Sequence, residues 1–315
     1  MSLPELAPML ATLGSDDVVR QPGWHFEVKW DGYRALARRP REGGLVLRSR
    51  GGLDLAATYP ELGELDGLLA GHKAIVDGEI VALLPDGRSD FEALQNHGQS
   101  GNRPAHFMAF DLLHLDGNSL LHLPYLERRE LLEGLLGEGS GNVHVPTTFG
   151  DEGELALAAS RQLRLEGLIA KRATSTYQPG RRTEAWLKVK NFWTQEVVVV
   201  GWKRGSGARS RTIGSLLVAV PDATGRLQCV GSAGSGFTDA MLDDAVARLR
   251  PLQRATNPDV ANVRPLEARE NTWVEPVLVG EVSYGQRTAQ GRLRHPVWRG
   301  WRDDLTPAEV ALGEG

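Results

Sequence analysis

Apolar and polar positions alternate in short runs along the first part of the chain, the period-two pattern of half-buried strands. Residues 24–29, 33–38 and 45–49 read as strands parted by glycine-bearing turns. Residues 74–84 form another strand, closed by the turn triplet Pro85-Asp86-Gly87. A long apolar run at 105–115 reads as a buried strand ending at Asp116-Gly117, and 168–172 and 185–190 read as two more. Helical spacing marks 60–69, a short piece at 91–94, and the amphipathic stretches 125–136 and 152–164. Residues 1–23 look like a lead-in with one short helix. The pattern predicts antiparallel sheets with flanking helices, an α+β arrangement.

The character changes after Asn191. Strands are expected at 196–202, 214–220, 227–231, 272–284 and 292–297, with one helix at 238–249 and a long polar loop at 251–270. Five short strands and one helix in about 120 residues predict a small β-barrel of OB type. The boundary falls near Asn191 to Trp193, giving domains 1–192 and 193–315.

Composition narrows the function classes. The chain has 315 residues, 41% hydrophobic and 24% charged, which is ordinary globular usage. No run of about 18 apolar residues predicts a membrane helix, and MSLPELAPML lacks the basic start of a signal peptide. A single cysteine, Cys229, excludes an internal disulfide and a multi-cysteine zinc site and fits a reducing cytoplasm. The formal net charge of −4 is not that of a general nucleic-acid coat protein. Locally the balance reverses. Residues 181–211 carry Arg181, Arg182, Lys188, Lys190, Lys203, Arg204, Arg209 and Arg211 against Glu184 and Glu196. Residues 285–302 carry five arginines and no acid. Both stretches are candidate phosphate-binding surfaces, with scattered solvated arginines as the plainer alternative.

The chain holds only 6 lysines against 30 arginines, and four of the six sit in short polar motifs. Lys29 and Arg34 flank the Asp31-Gly32 turn, where both could reach one anion; an ordinary hairpin turn is the alternative. Asp77 and Glu79 share a face of an apolar strand, which demands a metal, a ribose or a basic partner. Glu166 and Lys171 bracket a turn into a strand, and Lys188 and Lys190 share a face of another. There is no GxxxxGK[ST] loop, no GxGxxG fingerprint, no HExxH and no GxSxG elbow. Gly231 to Gly236 (GSAGSG) reads as a loop. Side chains must therefore bind any phosphate.

Taken in order, these motifs resemble those of the covalent nucleotidyltransferases. The likeness is to ATP-dependent DNA ligases, in particular the ligase domain of bacterial end-joining ligases. KWDGYR (29–34) resembles the nucleotidyl motif KxDGxR, and SRGG (49–52) the SRxG motif after it. DGEIV (77–81), AFDLLHLDG (109–117), EGLIAKR (166–172), YQPGRR (177–182) and WLKVK (186–190) follow in family order, and RLRHPVWRGWRDD (292–304) is similar to the closing motif. The resemblance runs from about Trp24 to Val310. It implies a nucleotidyltransferase (adenylation) domain followed by an OB-fold domain.

The resemblance also implies the chemistry. Lys29 would take AMP from ATP, pass it to the 5′-phosphate of a nick in duplex DNA, and the 3′-hydroxyl would displace it. A lysine nucleophile must be neutral, and an ordinary one with a pKa of roughly 10.4 is almost wholly charged at pH 7. Cationic neighbours and Mg²⁺ (or Mn²⁺) favour the neutral amine. Phe110 would stack on adenine, and Glu27, Arg182, Lys188, Lys190 and Arg302 would contact the nucleotide. Glu79 would hold ribose or metal, and Glu166 a metal. Arg34 and Arg50 would hold ribose or the nick phosphate. The basic stretches of the OB domain would grip duplex phosphates. An RNA ligase and an mRNA guanylyltransferase share the lysine motif and are the enzyme alternatives.

A minimal two-domain, monomeric bacterial enzyme is expected, working in the cytoplasm at the nucleoid, with no membrane contact and with an end-binding partner such as Ku. One position departs from the family. The closing motif usually reads R-x-D-K; here Arg302 and Asp304 align with its first and third positions, and Leu305 replaces the lysine. Leucine cannot orient a leaving pyrophosphate. Slow lysine adenylylation is expected, with Leu305→Lys speeding it.

Overall fold

The computed structural model describes residues 3–40, 44–98, 103–207, 210, 212–288 and 290–311. Arg209 and Arg211 of the first basic stretch lie outside them. The chain divides into two compact units, 1–191 and 192–315.

In chain order the strands of the first unit are β1 (Leu10–Leu13), β2 (Trp24–Val28), β3 (Tyr33–Arg39), β4 (Val46–Ser49), β5 (Ala74–Ala82), β6 (Ala105–Leu115), β7 (Asn118–Ser119), β8 (Gly139–Ser140), β9 (Val143–His144), β10 (Gly167–Arg172) and β11 (Arg182–Lys190). Its α-helices are α1 (Glu64–Leu68), α2 (Phe91–Gln95), α3 (Tyr125–Leu136) and α4 (Gly153–Gln162). One sheet runs β4-β3-β5-β6-β9-β8 with β7 on β6; the other runs β1-β11-β10-β2. Period-two alternation sorts the side chains. Ala35, Ala37, Val76 and Ile80 pack with Leu65 of α1 and Leu132 and Leu136 of α3, whereas Leu36, Ile75 and Phe110 join Tyr177 and Trp186 in a separate core. Beneath them Arg128 donates two hydrogen bonds to Asp111, 2.7 and 2.9 Å, both side chains fully buried. Removing one partner of such a pair costs about 3–5 kcal/mol, because the other charge is left stranded.

Three local readings change. The Asp31-Gly32 turn is not a hairpin: β2 pairs with β10, while β3 pairs with β4 and β5 in the other sheet. The lead-in contains β1, whose four residues are too few to show alternation and which pairs in parallel with β11. The helix expected at 60–69 begins as a 3-10 turn, Pro60–Gly63, before α1.

The second unit contains β12 (Trp193–Arg204), β13 (Ile213–Pro221), β14 (Leu227–Ala233), β15 (Gln253–Arg254), β16 (Asn271–Tyr284), β17 (Gln286–Arg287), β18 (Leu293–Arg294) and β19 (Val297–Trp301), with α5 (Asp239–Leu249) and α6 (Pro265–Glu270). Its main sheet runs β14-β13-β12-β16-β15, and β19 also pairs with β16. A single parallel bridge, Ser235 to Val297, links the β14 side to β19, so the OB-type ladder is nearly but not fully closed. Val197 to Val200 are all fully buried in the core, which also takes Leu242, Ala245 and Leu249 of α5. The strand expected at 292–297 is two strands. His295 takes a left-handed backbone (φ 50°) and Pro296 has no N–H to donate. The loop expected at 251–270 carries β15 and α6, a six-residue helix with no buried side chain and hence no apolar periodicity to read.

Candidate active site

The two sheets of the first unit deliver one pocket of about 210 Å³. From the four-stranded sheet come Glu27, Ile169 and Lys188, cross-strand partners on β2, β10 and β11. The other sheet supplies Arg34 of β3, its cross-strand partner Glu79 of β5, and Phe110 of β6. Lys29 sits where the chain leaves one sheet for the other, its amide donating to the Gly167 carbonyl at 3.0 Å. That crossover needs glycine. A Cβ on Gly32 would stand 2.0 Å from the Ile80 carbonyl oxygen, so the turn lies directly on β5. Gly167 has φ 145°, and a Cβ there would meet the Val189 carbonyl.

The charges are closely arranged. Lys29 Nζ is ion-paired with Glu166, whose other oxygen is 3.4 Å from Lys190 Nζ. Partial burial and the cations Lys190, Arg182 and Lys29 push Lys188 below the ordinary lysine range. Burial pushes the Glu79 carboxyl up to about 7, with Arg34 and Lys29 pulling back and Asp77 and Glu166 reinforcing. Arg34 donates Nε and Nη2 to Asp77 at 2.6 and 2.7 Å, which leaves Nη1 for a ligand. Burial works against that guanidinium, but Asp77 outweighs it and holds it charged. Tyr177 donates to the same carboxylate at 2.5 Å. The Arg34 guanidinium lies 4.4 Å from the Phe110 ring centre.

Eight of the residues singled out by sequence line this pocket: Glu27, Lys29, Arg34, Arg50, Glu79, Phe110, Arg182 and Lys188. Glu166 and Lys190 join them through ion pairs. Lys171, singled out by sequence together with Glu166, and Trp186, quoted only as a motif letter, also line it. Lys171 is fully buried, donating to Glu27 Oε1 at 2.8 Å and to the Phe110 carbonyl at 3.2 Å. Its rarity in an arginine-rich chain was the available signal. Asp77 proves to be the basic-partner case weighed for that strand.

Arg302 belongs to the second unit. It donates Nε and Nη2 to Asp304 at 2.9 and 2.8 Å and Nη1 to Glu196 at 3.0 Å. Glu196 stands directly opposite Glu281, a like-charge pair that this arginine offsets. Among the five arginines of 285–302, Arg292 is a correction: it is buried against Glu267 and is not a phosphate-contacting surface. Arg287 and Arg299 bond neutral partners, Gln195 and Ser283, both at 2.9 Å, with no ion pair among the described residues.

Residues 8–190 match the family model described as ATP dependent DNA ligase domain, and residues 209–305 match the ATP dependent DNA ligase C terminal region. The chain belongs to the ATP-dependent DNA ligase family. Within that family it is 45% identical over 306 residues to the multifunctional non-homologous end joining protein LigD of Mycolicibacterium smegmatis, covering 97% of this chain and 39% of that protein. It is 38% identical over 323 residues to the LigD of Pseudomonas aeruginosa, covering 99% and 37%. The chain thus spans about two fifths of these curated relatives. Among solved structures it resembles a mycobacterial DNA ligase D complexed with ATP and MES, at TM-score 0.58 and 42% identity over 97% of this chain and 98% of that one. The ligase domain of Mycobacterium tuberculosis LigD gives TM-score 0.57 and 44% identity, with the same coverage. Among the described residues no helix is long and apolar enough to cross a membrane.

Proposed function

We propose that this ligase seals 3′-hydroxyl/5′-phosphate nicks in duplex DNA through an AMP adduct on Lys29, in end-joining repair. The observation that carries the reading is the placement of Lys29 at a pocket with a donor–acceptor pair on one wall and cations on another. Lys171 has a third N–H to offer beyond its two protein bonds, and Glu27 keeps Oε2 as an open acceptor. A donor beside an acceptor matches the N1 and N6 amine of adenine. Phe110 and Trp186 supply aromatic surface, and Arg182 and Lys188 meet the phosphates.

The Lys29 amine attacks the α-phosphorus, a P–N bond forms, and the P–O bond to pyrophosphate breaks. Glu166, in contact with Nζ, is placed to take the proton the amine sheds. AMP then passes to the 5′-phosphate and frees Lys29. The 3′-hydroxyl attacks that phosphate and AMP leaves. Glu79 and Glu166 are oxygen donors of the kind Mg²⁺ or Mn²⁺ takes alongside substrate phosphates, and the raised Glu79 carboxyl fits a site built for added positive charge. When bound, such an ion offsets triphosphate charge. The reading extends to nicked DNA as partner, a monomer in the bacterial cytoplasm, and an end-binding protein of Ku type.

Incubation with α-labelled ATP and Mg²⁺, then denaturing electrophoresis, tests it. A labelled 34.3 kDa band, absent for Lys29→Ala, is expected. Labelling of Lys29→Ala at the wild-type rate would remove Lys29 from its place, and labelling by GTP instead of ATP would favour a guanylyltransferase.

A further inference from the structure

Glu27 is buried, and two donors converge on one of its oxygens. Lys171 Nζ reaches Oε1 at 2.8 Å, and the Tyr125 hydroxyl donates to the same atom. The second oxygen has no protein partner among the described residues. Tyr125 is itself fully buried and does not line the pocket. It begins α3, outside the quoted motifs. Its ring is held in turn: Lys171 lies 4.6 Å from its centre and His25 meets its edge at 5.5 Å, while His25 is tied to Thr148 Oγ1 at 2.7 Å.

We propose that Tyr125 is a positioning residue for base selection: its hydroxyl, with Lys171, holds Oε1 of Glu27 so that Oε2 is presented to the exocyclic amine of the purine. This rests on reading the pocket as a nucleoside triphosphate site. A carboxylate tied by one ammonium alone can turn about its last bond and exchange its oxygens. Two donors arriving from β10 and α3 remove that freedom before the nucleotide arrives, so selection comes from preorganisation. The plainer alternative is a core tyrosine that has merely found an acceptor. The two differ in what the hydroxyl controls.

The test uses the whole chain and follows Lys29 adenylylation by rapid quench with ATP and with inosine triphosphate, which carries an oxygen in place of the amine. Tyr125→Phe removes only the hydroxyl. The expected result is a KM for ATP raised on the order of tenfold, the worth of one hydrogen bond to a charged group. The preference for ATP over inosine triphosphate should fall by a similar factor. The rate at saturating ATP and the sealing of a pre-adenylylated nick should stay as in the wild type. Wild-type KM and preference in Tyr125→Phe, with both lost in Glu27→Gln, would overturn the proposal and leave the pocket reading standing. Equal slowing of both steps with a lowered melting temperature would reduce Tyr125 to a structural part. Failure of the wild type to label with any nucleotide would overturn the pocket reading itself, and this inference with it.

Discussion

Glu79 shows how single residues in this pocket work against their own ionisation. Its carboxyl lies between Arg34 and Lys29 yet is pushed up to about 7, because burial and the nearby Asp77 and Glu166 outweigh the cations. The folded protein therefore holds a proton there that the unfolded chain releases near the ordinary carboxyl value. Between those two values the native state binds more protons, so stability from this group is full below about pH 4.5 and is lost as pH rises through 7. Urea melts of the ligand-free protein at pH 5 and pH 8 should show the wild type losing on the order of 1–3 kcal/mol relative to Glu79→Gln. A constant difference between the two proteins would place Glu79 in ordinary solvent. Lys29 and Glu166 form an ion pair in the same pocket, each offsetting the charge of the other.

At the scale of elements, two segments carry most of the site's character. The β2–β3 connection crosses between sheets, and the absence of a side chain on Gly32 lets it lie against Ile80, with Lys29 lining the pocket beside it. In the closing segment after β19, Leu305 also has a packing role. The Leu305 amide donates to the Arg302 carbonyl at 3.1 Å, and its side chain packs on the core of the second unit. Asp303 is clasped by Arg248 at 2.6 and 3.2 Å. A lysine at 305 would exchange apolar contact with that core for a charge. Leu305→Lys should therefore cost about 1–2 kcal/mol in denaturant unfolding, below the range for a fully buried leucine. If the motif lysine is wanted there, the same substitution should speed Lys29 adenylylation; no acceleration in a rapid-quench assay would mean that another residue fills the role.

Across the whole molecule, an acidic chain offers cations only locally. Arg287 and Arg299 are two of the described arginines of 285–302 that donate to neutral groups. If they meet duplex phosphates, nick affinity will fall steeply with salt, and each alanine substitution will lower the log–log slope by about one. Gel shifts over a salt series would read this directly, and a slope unchanged in both variants would move the DNA surface elsewhere. The same assay with a Ku-type protein tests whether the chain needs help at an end: tight nick binding alone at physiological salt would remove the need.

What this sequence determined by itself was local and periodic. Alternation or continuous apolar runs marked β5, β6, β12 and β16, and helical spacing marked α3 and α5, because burial on one face or two imposes its pattern on neighbouring residues. The motif lysines and carboxylates were legible for a similar reason, since an unpaired charge in an apolar strand has to be used. Only the tertiary structure decided that β2 and β3 lie in different sheets, that β1 completes one of them, and that 292–297 breaks at His295-Pro296. It also decided which charges neutralise one another. Arg34 with Asp77, Arg292 with Glu267 and Arg302 with Glu196 join residues 43, 25 and 106 positions apart. Tyr125 meets Glu27 across 98 residues, and nothing in the letters between them encodes that meeting. Periodicity reports burial along one element, whereas partners are chosen by how sheets and helices pack.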